Sequence, residues 1–258
     1  MSKYIIFTDL DGTLLNHHDY AYKAVLPLLK RLEESGIPAV LNSSKTLSEL
    51  EIWQHRLHLN APLVAENGGV ILFSEGRLKG QKQRIGKAYD EIRSYIKHLR
   101  KRYDWSFEGF GDWTVAEVMN RTSLKSSDAV KAKDREVSEP ILWLDTPENL
   151  ARFEQCLAEQ GLVLKKGGRF YHVMAQHDKA DAMKYLLEHY YDAEQEGVKS
   201  LALGDGENDL SMLLAADKAV VMPPASGEAL KVEGAYYAQS EAPVGWIESV
   251  ERLLSESV

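Results

Sequence analysis

Cysteine is nearly absent: Cys156 stands alone among 258 residues. No disulfide can form within the chain, and no group of thiolates can hold a metal. Long apolar runs are missing too, with none near the roughly eighteen residues that a membrane span needs. The beginning lacks the charged-then-apolar pattern of a secretory signal, because Tyr4-Ile5-Ile6-Phe7 already reads as a strand. These absences lead to the expectation of a cytoplasmic protein without a membrane partner. Basic charge is also in deficit. Lys and Arg total 31 against 39 Asp and Glu, a formal charge of −8, so broad binding to nucleic acid is not expected. Neither internal repeats nor low-complexity tracts occur, and the composition leaves monomer and homodimer both open.

What is present is an ordinary globular composition, 44% hydrophobic and 27% charged, at a length that suits one large or two modest domains. Apolar strand patterns at 4–7, 37–41 and 62–65 alternate with helical spacing over Tyr20 to Glu34 and Thr46 to Leu57. Ser35-Gly36 closes the first helix. Strand, helix, strand, helix is the order of an α/β doubly wound, mostly parallel (Rossmann-like) sheet. Asn67-Gly68 is a hairpin signal between the 62–65 strand and Val70 to Phe73. From about Lys82 the rhythm changes. Helical stretches over 88–102, 125–136 and 148–159 alternate with strands at 141–144, 162–165 and 169–174, which points to an inserted α+β cap over 82–175. Residues 1–81 and 176–258 would then form the core.

The chemistry-bearing residues gather where core strands end. The first strand runs into Asp9-Leu10-Asp11-Gly12-Thr13. Parallel sheets bind ligands outside the carboxyl ends of their strands. Two ionised carboxylates there need a cation, and hard oxygens suit Mg²⁺; the plainer alternative is that the acids cap a turn. Ser43-Ser44-Lys45 ends the second strand before a helix, which makes either an anion site or an ordinary N-cap. Lys179 opens a helix, where the macrodipole disfavours a cation unless it has an anionic partner. Asp205-Gly206-Glu207-Asn208-Asp209 follows the strand 200–204, and helix capping explains only one of its acids.

Asp-Leu-Asp-Gly-Thr-Leu-Leu at 9–15 resembles the first signature of the haloacid dehalogenase-like phosphatases. Ser43 (or Ser44), Lys179 and the Gly-Asp-Gly-x-Asn-Asp string at 204–209 are similar to the other three, in order along the whole chain. The resemblance implies phosphate-monoester hydrolysis through an aspartyl-phosphate. Asp9 would be the nucleophile and Asp11 the general acid and base, with Ser43 and Lys179 on the phosphoryl oxygens. Mg²⁺ would be held by Asp9, Asp11 and Asp205, with Asn208 and Asp209 toward its waters and Lys179. Many relatives carry Thr-Gly-Arg where Ser43-Ser44-Lys45 stands, and Ser44 and Lys45 are candidate substrate contacts. Glu66-Asn67-Gly68 is similar to a string of subclass IIB, in which the turn is the favoured reading over substrate contact.

Within the expected cap, Lys165-Lys166-Gly167-Gly168-Arg169-Phe170-Tyr171-His172 combines cations with two glycines. On spacing alone it is a hairpin with solvated cations, or a loop that approaches an anion. It resembles a string of the mannosyl-3-phosphoglycerate phosphatases. That resemblance implies a small phosphorylated glycoside as substrate, mannosyl- or glucosyl-3-phosphoglycerate, bound by Gly167, Gly168, Arg169 and His172. Arg169 is expected on the carboxylate. A broader sugar-phosphate phosphatase, a phosphomutase, and a sugar-phosphate-binding regulator without chemistry are the competing readings.

Overall fold

The computed structural model describes residues 4–166 and 169–255. Its first half alternates β1 (Tyr4–Thr8), α1 (Leu26–Glu34), β2 (Ala39–Asn42), α2 (Leu47–Leu57) and β3 (Leu63–Ala65). Two short strands, β4 (Val70–Leu72) and β5 (Lys82–Arg84), complete that run. There follow α3 (Tyr89–Tyr103), β6 (Phe107–Gly109), α4 (Val115–Thr122), α5 (Ser126–Ala132), β7 (Ser138–Trp143), α6 (Pro147–Ala158), β8 (Leu162–Lys166) and β9 (Tyr171–Ala175). The last part holds α7 (Lys179–His189), α8 (Ala193–Glu196), β10 (Lys199–Gly204), α9 (Leu210–Ala215), β11 (Lys218–Val221), β12 (Tyr236–Tyr237) and α10 (Val244–Ser255).

An eight-stranded sheet runs β12-β11-β10-β1-β2-β3-β4-β5. The pairings from β12 to β3 are parallel, and only β4 and β5 run against their neighbours. Alternation along β1 explains why its apolar run is unbroken. Tyr4 and Ile6 join one buried layer with α1 and α10, while Ile5 and Phe7 join a second with α7 and α9. A strand covered on both faces has no polar side to show. β5 belongs to this sheet, which therefore extends through Arg84.

The second sheet, β6-β7-β9-β8, is antiparallel throughout. Ile141 and Val173 on one face pack with Ile92, Ile96 and Phe153 from α3 and α6. On the other side Phe110 and Trp113 gather with α4 and α5. The helical stretch expected at 125–136 is shorter, α5 alone, and α4 precedes it in a stretch to which no element was assigned. Thr114 caps α4 through a reciprocal pair with Glu117. Arg93 ties α3 to this unit by donating to Glu139 at 2.9 Å and Asp112 at 2.7 Å. Burial pushes the Glu139 carboxyl up and Arg93 opposes it.

The two units meet through Glu66, which is fully buried. Its Oε1 accepts from Glu136 N at 2.7 Å, and Oε2 accepts from Val137 N at 3.1 Å and Ser138 Oγ at 2.6 Å. Glu66 and Asn67 both hold left-handed backbone, φ 52 and 58, an arrangement that costs L-residues about 1 kcal/mol or more each. Gly68 at φ 91 continues the turn, and a Cβ there would lie 2.0 Å from the Asp178 carbonyl oxygen. A turn does form at 66–68, but its acid is occupied as a tie between the two units.

Candidate active site

The ends of β10, β1 and β2 lie side by side in the large sheet, and this adjacency assembles the site. Asp9 leaves β1 and is 6% exposed; Lys179 at the first turn of α7 is 0% exposed. Lys179 Nζ lies 2.5 Å from both Asp9 Oδ1 and Asp209 Oδ1. Asn42 at the end of β2 donates to the Lys179 carbonyl at 2.9 Å, fixing the start of α7 against the sheet. Asp178 caps that helix through the Ala180 and Asp181 amides, so Lys179 has a fixed direction. The anionic partner that a first-turn lysine calls for is therefore a pair of carboxylates.

Asp209 Oδ2 accepts from the Asp205 and Gly206 amides, each at 3.0 Å. Asp205 Oδ1 accepts from Thr13 Oγ1 at 2.8 Å, and its Oδ2 lies 3.3 Å from His17 Nε2. The His17 ring fills the space beside Gly12 (φ 80), where a Cβ would be 2.0 Å from it. Asp11 takes a different cation: its Oδ2 is 2.8 Å from Lys45 Nζ. Its Oδ1 is buried without a hydrogen-bond partner among the described residues. Ser43 is buried, with Oγ 3.4 Å from the Lys45 amide, and Ser44 follows on the same loop. Asn208 donates to Asn67 Oδ1 at 3.2 Å.

Charge is the problem this arrangement poses. Burial is the first cause that pushes the Asp9 carboxyl up to about 8; Lys179 opposes it, while Asp209, Asp205 and Asp11 add to it. Burial and Asp209 likewise raise Asp205. For Lys179 burial favours the neutral amine, but Asp209 and Asp9 outweigh it and the ammonium is retained. Asp9, Asp205 and Asp209 each offer an oxygen, all within 4.8 Å of one another. A set of hard oxygens short of positive charge, with an orphaned carboxylate oxygen on Asp11 beside it, fits a divalent cation such as Mg²⁺. Asp11 stands outside that tight trio.

A family model described as haloacid dehalogenase-like hydrolase matches residues 6–235. The chain belongs to the haloacid dehalogenase-like hydrolases. This hydrolase is 34% identical over 265 residues to a glucosyl-3-phosphoglycerate/mannosyl-3-phosphoglycerate phosphatase of Persephonella marina, covering 98% of this chain and 97% of the relative. A protein of the same description from Methanococcoides burtonii is 33% identical, with 99% and 98% covered. Among solved structures, a haloalkanoate-superfamily phosphatase of Bacteroides thetaiotaomicron shares the fold at TM-score 0.73 and 18% identity, over 97% of this chain and 95% of that one. The sucrose-phosphatase of Synechocystis aligns at 0.66 and 14%, covering 98% of both chains.

The residues expected in the cap fall differently. Gly167 and Gly168 lie outside the described residues. Arg169 donates to the Arg121 and Thr122 carbonyls at 2.8 and 3.3 Å, so its guanidinium closes the C-terminal end of α4. His172 has a buried Nδ1 without a hydrogen-bond partner among the described residues, and burial, with Arg135 adding, lowers its pKa to about 3. Residues that the sequence did not single out also take part in the arrangement, Thr13, His17 and Asn42, and Glu66, which the sequence offered as a turn residue, ties the two units. Only Asn42 carried a usable signal, a polar residue closing an apolar strand. The others depend on contacts between segments distant in the chain. Among the described residues no helix is long and apolar enough to cross a membrane.

Proposed function

We propose that this hydrolase is a Mg²⁺-dependent phosphatase that cleaves glucosyl- or mannosyl-3-phosphoglycerate to the glycosylglycerate and phosphate. The observation that carries the chemistry is Asp9 at the end of β1, held by Lys179 at 2.5 Å beside Asp205 and Asp209. The near full-length similarity to phosphatases described for those two substrates supports the substrate class. The chain divides into a core that supplies the reacting groups and a cap around the β6–β9 sheet that selects the substrate.

Asp9 attacks phosphorus through a carboxylate oxygen, and the P–O bond to the leaving alkoxide breaks as the aspartyl-phosphate forms. Lys179 orients the nucleophile and meets charge on the phosphoryl oxygens. Lys45 fixes one oxygen of Asp11, leaving the buried Oδ1 to carry the proton to the alkoxide. Asp11 then takes a proton from the water that hydrolyses the aspartyl-phosphate, restoring both carboxyl groups. Ser43 lies on the same rim and offers its hydroxyl to a phosphoryl oxygen. Asp9 and Asp205, with Asp209 beside them, would hold Mg²⁺, which screens nucleophile from phosphate and polarises the phosphoryl group when bound.

The test is phosphate release from both glycosyl-phosphoglycerates and from simple sugar phosphates, with and without chelator, using Asp9→Asn as control. The expected result is chelator-sensitive turnover of a glycosyl-phosphoglycerate, favoured by orders of magnitude and lost in the variant. Equal rates on simple sugar phosphates would leave a general phosphatase. No turnover with ligand still bound would leave a regulator.

A further inference from the structure

The cations drawn in from the surface beside the site and in the antiparallel unit are nearly all committed. Lys179 holds Asp9 and Asp209, Lys45 holds Asp11, and Arg93 and Arg100 hold Asp112. Arg121 pairs with Glu108, Lys165 donates to the His177 carbonyl, and Arg169 is spent on the end of α4. Arg135 differs. Among the described residues it has no carboxylate within ion-pair distance, although it is half-buried where the two units meet. Its Nε donates to the Ala132 carbonyl at 3.1 Å; Nη1 donates to the Ser44 carbonyl at 3.3 Å and Ser138 Oγ at 3.2 Å. Nη2 makes no hydrogen bond to the described residues.

A guanidinium partly removed from water, with half of its fork unused, calls for an anion. Its position narrows the choice. Ser44 lies between Ser43 and Lys45, so the fixed half of the fork rests on the loop that faces the phosphoryl site. Ser138 and His172 lie on β7 and β9, and their register (Ser138 with Met174, Pro140 with His172) puts them on one face of the cap sheet. That face meets the core, because Ser138 donates to Glu66. His172, kept neutral, adds a buried ring nitrogen without a partner among the described residues beside Arg135 and brings no competing charge.

We infer that Arg135 is the group that binds the carboxylate of the substrate, with His172 beside it on the polar part of the same ligand. The inference rests on the phosphatase reading above. In a 3-phosphoglycerate ester, two carbons separate the phosphate ester oxygen from the carboxylate, so an anion held by the core loop puts the second anion within a neighbouring residue's reach. A planar fork suits a carboxylate as an ammonium does not.

The experiment has two arms. In the first, kcat and KM are measured on the glycosyl-phosphoglycerates and on p-nitrophenyl phosphate for Arg135→Gln, Arg135→Lys and Arg169→Ala. R135Q is expected to raise KM on the carboxylated esters about 100-fold, as for one lost charged contact, with R135K recovering only part. Rates on p-nitrophenyl phosphate should be retained, which also reports that the variants fold. In the second arm, the Asp9→Asn protein is titrated with 3-phosphoglycerate and glycerol 3-phosphate. A preference of about 10-fold or more for the former, abolished by R135Q, is expected. Equal binding of the two, a loss equal on all esters, or a loss carried by R169A would overturn the assignment. If the wild type has no preference for glycosylated substrates yet D9N retains the carboxylate preference, the substrate reading fails and Arg135 stands.

Discussion

Replacing Glu66 by Ala removes the acceptor for two backbone amides and one hydroxyl across the junction of the two units. The Val137 amide and the Ser138 hydroxyl are buried with it, and the Glu136 amide is partly so. A buried donor left without a partner costs about 1–3 kcal/mol, so the variant should lose about 3–5 kcal/mol. Glu66→Gln keeps one acceptor oxygen and should lose about half as much. Glu66→Gly loses the same contacts as the Ala variant but relieves the left-handed backbone, and should recover about 1 kcal/mol of it. Urea unfolding gives the totals, and hydrogen exchange localises them. In E66A the Glu136 and Val137 amides should exchange about 100-fold faster, the ratio that about 3 kcal/mol implies. The reasoning fails if E66A stays within about 1 kcal/mol of the parent and those amides keep their protection.

Lys179→Met should destabilise the metal-free protein by about 3–5 kcal/mol, because Asp9 and Asp209 lose their shared ammonium in a buried setting. Thermal unfolding checks it, and Mg²⁺ should restore part of the loss if the carboxylates take a divalent ion. His172 titrates at about 3 in the folded chain against an ordinary 6.5. Its contribution to stability is complete above about pH 6.5 and is lost as pH falls toward 3, at about 1.4 kcal/mol per pH unit. In His172→Asn the stability lost between pH 6 and pH 4 should therefore shrink by about 2–3 kcal/mol, measured against each protein's own value at pH 7.

The large sheet and the carboxylates and lysine gathered at its edge were readable because local signals carry them. An unbroken apolar run such as 4–7 needs cover on both faces, and the groups after it fall at the strand's carboxyl end whatever the rest of the chain does. Lys179 showed itself as a cation where a helix repels one. The cap was less legible. Its helix boundaries shifted because Thr114 and Ser123 begin and end α4 within eight residues, too few turns for an apolar period to stand out. Arg169 and Arg135 are equally basic in sequence, and only packing reveals that one is spent on helix carbonyls while the other, among the described residues, has no carboxylate within ion-pair distance. Glu66 looked like a turn residue because a turn is what its neighbours form. Its three donors lie some seventy residues away in the chain.

The return from β9 to the core is short. β9 ends at Ala175, α7 begins at Lys179, and Asp178 fixes the helix start. A helix advances 100° per residue, so one residue added to or removed from α7 after its cap would swing the lysine away from Asp9. The unit around the β6–β9 sheet could therefore be exchanged only as a cassette joined upstream of Asp178. A graft that misses that phase would fold as two sound halves and still leave Asp9 without its ammonium partner.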